Sequence, residues 1–140
     1  MLRRRLLAAL PILLLSTPAA AAEPGAAKQV GQYVDLKPVG MPIVVDGQLV
    51  NYVFVYVRLT LAPNADVARW RAKEPFFRDA LVRAGHATPF VRPGAYETID
   101  AGKLSAALLR DAGAIAGPGV VRQVTVTSQV PSRRARPPRG

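Results

Sequence analysis

The stretch Gln48–Leu61, QLVNYVFVYVRLTL, decides the fold because its side chains alternate in character along the chain. The aliphatic set is Val53, Val55, Val57, Leu59 and Leu61, and the other set is Tyr52, Phe54, Tyr56, Arg58 and Thr60. A period of two with β-branched and aromatic residues predicts a long strand, because successive side chains of a strand point to opposite faces. We expect helices to bury the aliphatic set and the aromatic set to be only partly covered.

Two shorter strands are predicted before this one, at residues 32–37 and 41–45. The dipeptide Asp46-Gly47 separates the second of them from the long strand. Both central residues of a type I′ turn need positive φ angles, which Asp and Gly tolerate better than most residues. The strands on either side of the dipeptide are therefore expected to pair antiparallel.

A helical period begins after the long strand. Asn64 is the predicted N-cap, and Asp66 is placed to meet the positive end of the helix dipole. The apolar side comprises Val67, Trp70, Phe77, Leu81 and Ala84. Pro75 lies inside this pattern, so it either kinks the helix or ends one helix and begins another. Gly85 is the predicted C′ residue, and a loop is predicted over residues 86–96.

A further helix is predicted from its N-cap Asp100 to the glycines Gly113 and Gly117. Its apolar side comprises Leu104, Ala107, Leu108, Ala112 and Ile115. Residues 120–130 return to a period of two, which predicts a strand with one solvated face. The valines expected on its apolar side are Val120, Val124, Val126 and Val130. The order strand, strand, strand, helix, helix, strand predicts an α+β fold, with two helices on one face of a small mixed or antiparallel sheet.

The first 22 residues have the pattern of a signal peptide. Arginines at positions 3–5 precede an apolar run at positions 6–15, and Ala20 and Ala22 satisfy the small-residue rule for cleavage before Glu23. We expect export to the periplasm, a flexible leader at 23–31, one domain at 32–130, and a disordered Arg/Pro-rich tail at 131–140. The alternative is an uncleaved N-terminal segment that anchors the protein in the inner membrane.

Removing the three leader arginines leaves 16 basic and nine acidic residues, a net charge of +7. Four of these charges lie in the tail, at Arg133, Arg134, Arg136 and Arg139, so the rest of the mature chain carries only +3. A nucleic-acid partner is not expected, because basic residues are not clustered on the folded part. The tail either contacts an anionic envelope component, such as lipid headgroups, lipopolysaccharide or cell-wall polymer, or only solubilises the protein.

Candidate catalytic groups are few. The chain has no cysteine, which excludes disulfides, thiol catalysis and thiolate metal sites, and its one histidine, His86, is interpreted as a solvated loop residue. The carboxylates, including Glu74, are interpreted as helix caps and solvated ion-pair partners, with Glu74 and Arg78 as an i,i+4 pair. Trp70 and Phe77 are interpreted as core residues, and a docking patch is the alternative. No catalytic, metal or cofactor site is predicted.

Five segments together resemble the periplasmic domain of the flagellar basal-body-associated FliL family. They are YVDLKPVGMPIV at 33–44, VNYVFVYVRLTL at 50–61, KEPFFRDALVRA at 73–84, DAGKLSAALLRDA at 100–112 and GVVRQVTVTSQV at 119–130. The most specific of these pieces is the pattern E-P-x-x-R-D-A-L-V at 74–82. The likeness covers residues 33–130.

The resemblance implies a stomatin-like (SPFH) fold without a catalytic centre. It implies an interaction module that oligomerises around flagellar stator units and modulates their torque. Members of that family usually keep a transmembrane helix, whereas this sequence begins with the pattern of a removable signal peptide. We therefore expect a non-enzymatic envelope protein with a protein partner at the inner membrane or cell wall, and homo-oligomers are consistent with the resemblance.

Overall fold

The computed structural model describes residues 32–134. The predicted signal peptide with Ala20 and Ala22, the leader, and the tail residues Arg136 and Arg139 lie outside the described residues. The elements are β1 (Tyr33–Asp35), β2 (Val39–Val45), β3 (Gln48–Leu61), α1 (Val67–Ala72), α2 (Glu74–Ala87), α3 (Ala101–Ala116) and β4 (Val121–Pro131). The fold is α+β, as predicted, with helices packed against an antiparallel sheet of four strands.

The long strand β3 is the centre of the sheet. β1 and β2 both pair with one side of it, β1 near its end and β2 near its start, while β4 pairs with the other side. The tight turn between β2 and β3 has the predicted geometry, with φ of 51° at Asp46 and 74° at Gly47. Every strand is thus held in place by β3.

The predicted alternation in β3 is confirmed. Its aliphatic side chains are at most 2% exposed and pack with residues of the helices in one hydrophobic core. The helix residues at the centre of this core are Phe77, Leu81, Leu104, Leu108 and Ala112. Trp70 is also buried, and its ring centroid lies 6.2 Å from that of Phe77, so the core interpretation of both residues is confirmed.

Pro75 begins a new helix, which was one of the two predicted alternatives. α1 ends at Ala72, and Pro75 lies in the first turn of α2, where its missing N–H is not needed by the helix. The predicted cap of α1 is wrong. Asp66, and not Asn64, is the N-cap, and its carboxylate accepts a hydrogen bond from the backbone N–H of Arg69.

The prediction that Gly85 ends the second helix is wrong, because α2 continues to Ala87 and includes His86. Gly85 is buried, and a Cβ built at this position would lie 2.5 Å from Sδ of Met41 on β2. The glycine therefore permits α2 to approach the sheet closely, and its role is packing and not helix termination.

The caps of α3 follow the sequence more closely. Asp100 is the N-cap and accepts a hydrogen bond from the backbone N–H of Lys103 at 3.0 Å, as predicted. Gly117 follows the last helical residue with φ of 93°, which favours glycine. Gly113 lies inside the helix and does not terminate it.

The uniform alternation predicted for β4 is wrong. The pairing of β3 with β4 shifts register twice, between Tyr56 and Val57 and between Thr60 and Leu61. Each such irregularity adds a residue to one strand and reverses the face to which the following residues point. As a result Val121 and Val124 are both buried, whereas Val130 is 46% exposed on the opposite face.

The bounds of β1, β2 and β4 also differ from the prediction. β1 covers only Tyr33–Asp35 of the predicted 32–37, and β2 begins at Val39 and not at residue 41. β4 continues to Pro131, and the backbone N–H of Ser132 donates to the carbonyl oxygen of Tyr52 at 2.7 Å. A domain boundary at residue 130 therefore falls inside this strand.

Within residues 32–134, no helix has the length and apolar character needed to cross a bilayer.

Candidate interaction surface

Three aromatic side chains stand in a row on the face of the sheet opposite the helices. Tyr52, Phe54 and Tyr56 are 38%, 42% and 40% exposed. They occupy alternate positions of β3, so neighbouring side chains are about 6.7 Å apart along the strand. Val130, the cross-strand partner of Phe54 on β4, extends the row sideways. We call these four residues the aromatic face.

The aromatic face is uncovered because of the arrangement of the helices. α2 packs on β2 and α3 packs on β4, both over the aliphatic side of β3. The residue that pairs with Phe54 on β2 is Gly40, which has no side chain to shield the ring. Among residues 32–134, no element lies over this face of the strand.

A charged pair ends the row. Arg58 donates two hydrogen bonds to the carboxylate of Asp35, from Nε to Oδ1 at 2.7 Å and from a terminal nitrogen to Oδ2 at 2.8 Å. The guanidinium carbon of Arg58 also lies 3.8 Å from the centre of the Tyr33 ring, a cation–π contact. The hydrogen bond from Arg58 lowers the pKa of Asp35 below its usual value, and the same bond raises the pKa of Arg58.

The predicted tail contacts are only partly within the described residues. Arg134 is exposed. The side chain of Arg133 folds back on the domain, since its Nε donates to the carbonyl oxygen of Val50 at 3.2 Å and its terminal nitrogen donates to the same oxygen. The structure therefore separates these two arginines: Arg133 is bound to the domain, and Arg134 is exposed and has no side-chain ion pair within residues 32–134.

Asn51 is a structural residue that the sequence interpretation missed. It is 3% exposed, and its Nδ2 donates to the carbonyl oxygens of Tyr96 and Arg133, each at 2.8 Å. Its Oδ1 accepts from the backbone N–H of Tyr52 at 2.9 Å. This side chain thus joins β3, the loop before α3 and the C-terminal end of β4. The available signal was a polar residue at a position of the aliphatic parity.

Glu74 is not a solvated ion-pair partner as expected. It is 8% exposed and accepts a hydrogen bond at Oε1 from the backbone N–H of Lys37 at 2.9 Å. Arg78 Nε lies 3.2 Å from the same oxygen, an ion-pair contact whose angle is not that of a hydrogen bond. Glu74 and Pro75, which begin the E-P-x-x-R-D-A-L-V pattern, therefore both have structural roles at the start of α2.

The titratable groups considered for catalysis are dispersed. His86 is exposed at the end of α2, and its Nδ1 lies 2.8 Å from the carbonyl oxygen of Val82 one turn earlier. Asp79 pairs with Arg83, while Asp66 and Asp100 cap helices. Within residues 32–134, no three His, Cys, Asp or Glu side chains are grouped in a way that could hold a metal ion.

The fold and this surface define a small α+β domain whose sheet has one face packed by helices and one aromatic face open to solvent. Comparison of the chain with models of known protein families finds no match, and comparison with curated proteins finds none either.

Proposed function

We propose that the protein is an exported, non-enzymatic interaction module, similar to FliL, that binds a protein partner at the inner membrane or cell wall through its aromatic face. The observation that carries this proposal is the row of Tyr52, Phe54 and Tyr56, about two-fifths exposed on a face that no helix of residues 32–134 covers. Export is proposed from the signal-peptide pattern of the first 22 residues.

The chemistry of the aromatic face supports a protein partner. Tyrosine is among the residues that dominate binding energy at protein interfaces, because it buries a large rigid area and still offers a hydroxyl group. The charged residues beside it, Arg58 and Asp35, neutralise each other. A surface of this kind complements an apolar protein surface better than a polyanion.

The resemblance to FliL makes the flagellar stator the first partner to test. The experiment places a photo-crosslinking amino acid at Phe54 in the organism that encodes the chain, and at Leu109 as control. Leu109 is similarly exposed, at 39%, but lies on α3. We expect crosslinks from position 54, and not from position 109, to one envelope protein that mass spectrometry identifies.

A motility assay tests the stator part separately. If the stator is the partner, deletion of the gene changes swimming in soft agar, and wild type restores it whereas Phe54→Ser does not. Unchanged swimming speed and stator localisation in the deletion strain would exclude a motor role. Crosslinks between two copies of this chain alone would instead identify the aromatic face as a homo-oligomer interface.

The exposed position of Arg134 favours a second function, binding of an anionic envelope component through the tail. Arg133 contributes less to it, because its guanidinium is bound to the Val50 carbonyl. Cosedimentation with anionic liposomes at low and high salt tests this function, since such contacts weaken as salt screens them. Equal, salt-insensitive binding by the full mature chain and by a chain ending at Arg133 would contradict it.

A further inference from the structure

A groove of about 670 Å³ runs between α2 and α3, on the side of the domain opposite the aromatic face. Its volume lies in the range typical of small-molecule sites. The apolar side chains that line it include the buried or half-buried Ala84, Phe90, Ala107 and Ile115, with the exposed Ala87 and Ala114 at its edge. The groove exists because alanines line the facing turns of both helices and leave the space between them unfilled.

Among the uncharged residues that line the groove, Thr88 alone has a polar side chain, and that residue is exposed. Phe90 is 5% exposed and closes the bottom beside the alanines. The backbone N–H of Asp100 already donates to the carbonyl oxygen of Phe90 at 2.8 Å. Such a floor suits a hydrocarbon chain better than a sugar or a nucleotide, whose hydroxyl groups would lose their bonds to water without replacement.

The rim of the groove is basic. Three of its residues are cationic, Arg83, Lys103 and Arg110, and one is acidic, Asp111. Arg83 pairs with Asp79, and Arg110 Nε lies 3.6 Å from the carboxylate of Asp111. Lys103 forms no ion pair within residues 32–134. One cation at the rim is therefore available for a single compact anion.

We propose that this groove binds a single-chain anionic amphiphile of the fatty-acid type. The alkyl chain lies along the alanines and Phe90, and the carboxylate meets the ammonium group of Lys103. The groove and the aromatic face lie on opposite sides of the sheet, so this site is independent of the proposed protein interface.

The test is calorimetric titration of the full mature chain with dodecanoate, below its micelle concentration and at neutral pH. We expect saturable binding at one site. Ala114→Trp places an indole in the groove from an exposed helix position, and should weaken binding about tenfold or more. Lys103→Glu should weaken it about fivefold, because an exposed ion pair is lost and a repulsion is added. Lys73→Glu, an exposed lysine outside the groove, should leave binding unchanged.

Head-group charge is tested with dodecyltrimethylammonium, which has the same alkyl chain and the opposite charge. Binding equal to that of dodecanoate would overturn the role of Lys103. Absence of saturable dodecanoate binding, or equal affinity of wild type and a folded Ala114→Trp variant, would overturn the site and leave the groove to a helix of a partner protein. Thermal melting of each variant shows whether it is folded, and Lys103→Glu tests the site where Ala114→Trp fails to fold.

Discussion

The two faces of β3 consist of neighbouring residues of one strand, but they have opposite roles. Val53, Val55 and Val57 are at most 2% exposed and pack in the hydrophobic core together with residues of the helices. Tyr52, Phe54 and Tyr56 are of larger volume and yet about 40% exposed. Side-chain size therefore does not decide burial here. Burial is decided by which face of the sheet the helices cover. The aliphatic face therefore contributes to stability, whereas the aromatic face is available for binding.

The sharpest test of this comparison is a pair of adjacent aspartate substitutions. Val55→Asp buries an unpaired charge at a position that is 0% exposed, and should cost more than about 4 kcal/mol of the free energy of unfolding. Phe54→Asp, one residue away on the solvated face, should cost about 1 kcal/mol. Urea unfolding of both variants measures the difference, and equal losses would break the comparison.

Asn51 is a polar residue on the otherwise aliphatic face of β3. Its substitution by alanine tests how much its hydrogen bonds contribute to stability. Asn51→Ala should destabilise the domain by about 1–3 kcal/mol, because the buried Asn51 side chain donates two part-buried hydrogen bonds, to the carbonyl oxygens of Tyr96 and Arg133, and both are lost. Asn64→Ala is the control, at an exposed asparagine that caps no helix, and should change stability by less than about 0.5 kcal/mol. If Asn64→Ala lost as much stability as Asn51→Ala, Asn64 would act as the N-cap of α1, as the sequence predicts.

Alanine substitutions at two helical glycines separate the effect of packing against the sheet from the effect of helix propensity on stability. Gly85→Ala should destabilise by about 1–2 kcal/mol, because its Cβ would overlap the buried Met41 side chain. Gly113→Ala should stabilise by about 0.5–1 kcal/mol, since a Cβ there meets nothing within 4 Å and alanine favours the helix. Thermal unfolding shows whether the two variants change stability in opposite directions. If Gly85→Ala stabilised the protein, the packing of α2 against Met41 would not require a glycine.

The smallest expected effect concerns the ion pair between Arg58 and Asp35, which lies beside the aromatic face. Because Arg58 lowers the pKa of Asp35 in the folded protein, the pair contributes stability above the unfolded-state value of 3.8. That contribution is lost as pH falls through the lower, folded-state pKa. Wild type should therefore lose more stability on acidification than Asp35→Asn, and the effect should shrink in high salt. A carboxyl NMR titration with a midpoint for Asp35 above 3.8 would contradict this.

Local patterns were sufficient to predict most of the fold. The alternation in β3, the Asp46-Gly47 turn and the Asp100 cap each depend on a few neighbouring residues, and all three predictions are confirmed. The exposed aromatic set was also predicted as partly covered. Its identity as one uninterrupted surface needed the structure, because the register that places Val130 beside Phe54 is not visible in the sequence.

The errors arise where the structure depends on contacts between residues that are far apart in the sequence. Glycine ends helices and also permits close approach, and only the distance to Met41 decides for the second role at Gly85. The β4 irregularities arise from pairing with β3, so the sequence of β4 alone gives no sign of them. The groove between α2 and α3 could not be predicted either, since it depends on how far apart the two helices pack.

The measurement that tests the central claim most directly is the affinity of purified Phe54→Ser for the protein crosslinked at position 54, measured together with its free energy of unfolding. We expect affinity to fall about tenfold or more while stability changes by about 1 kcal/mol, with Leu109→Ser as an unaffected control. Unchanged affinity in a folded Phe54→Ser variant would contradict the assignment of binding to the aromatic face.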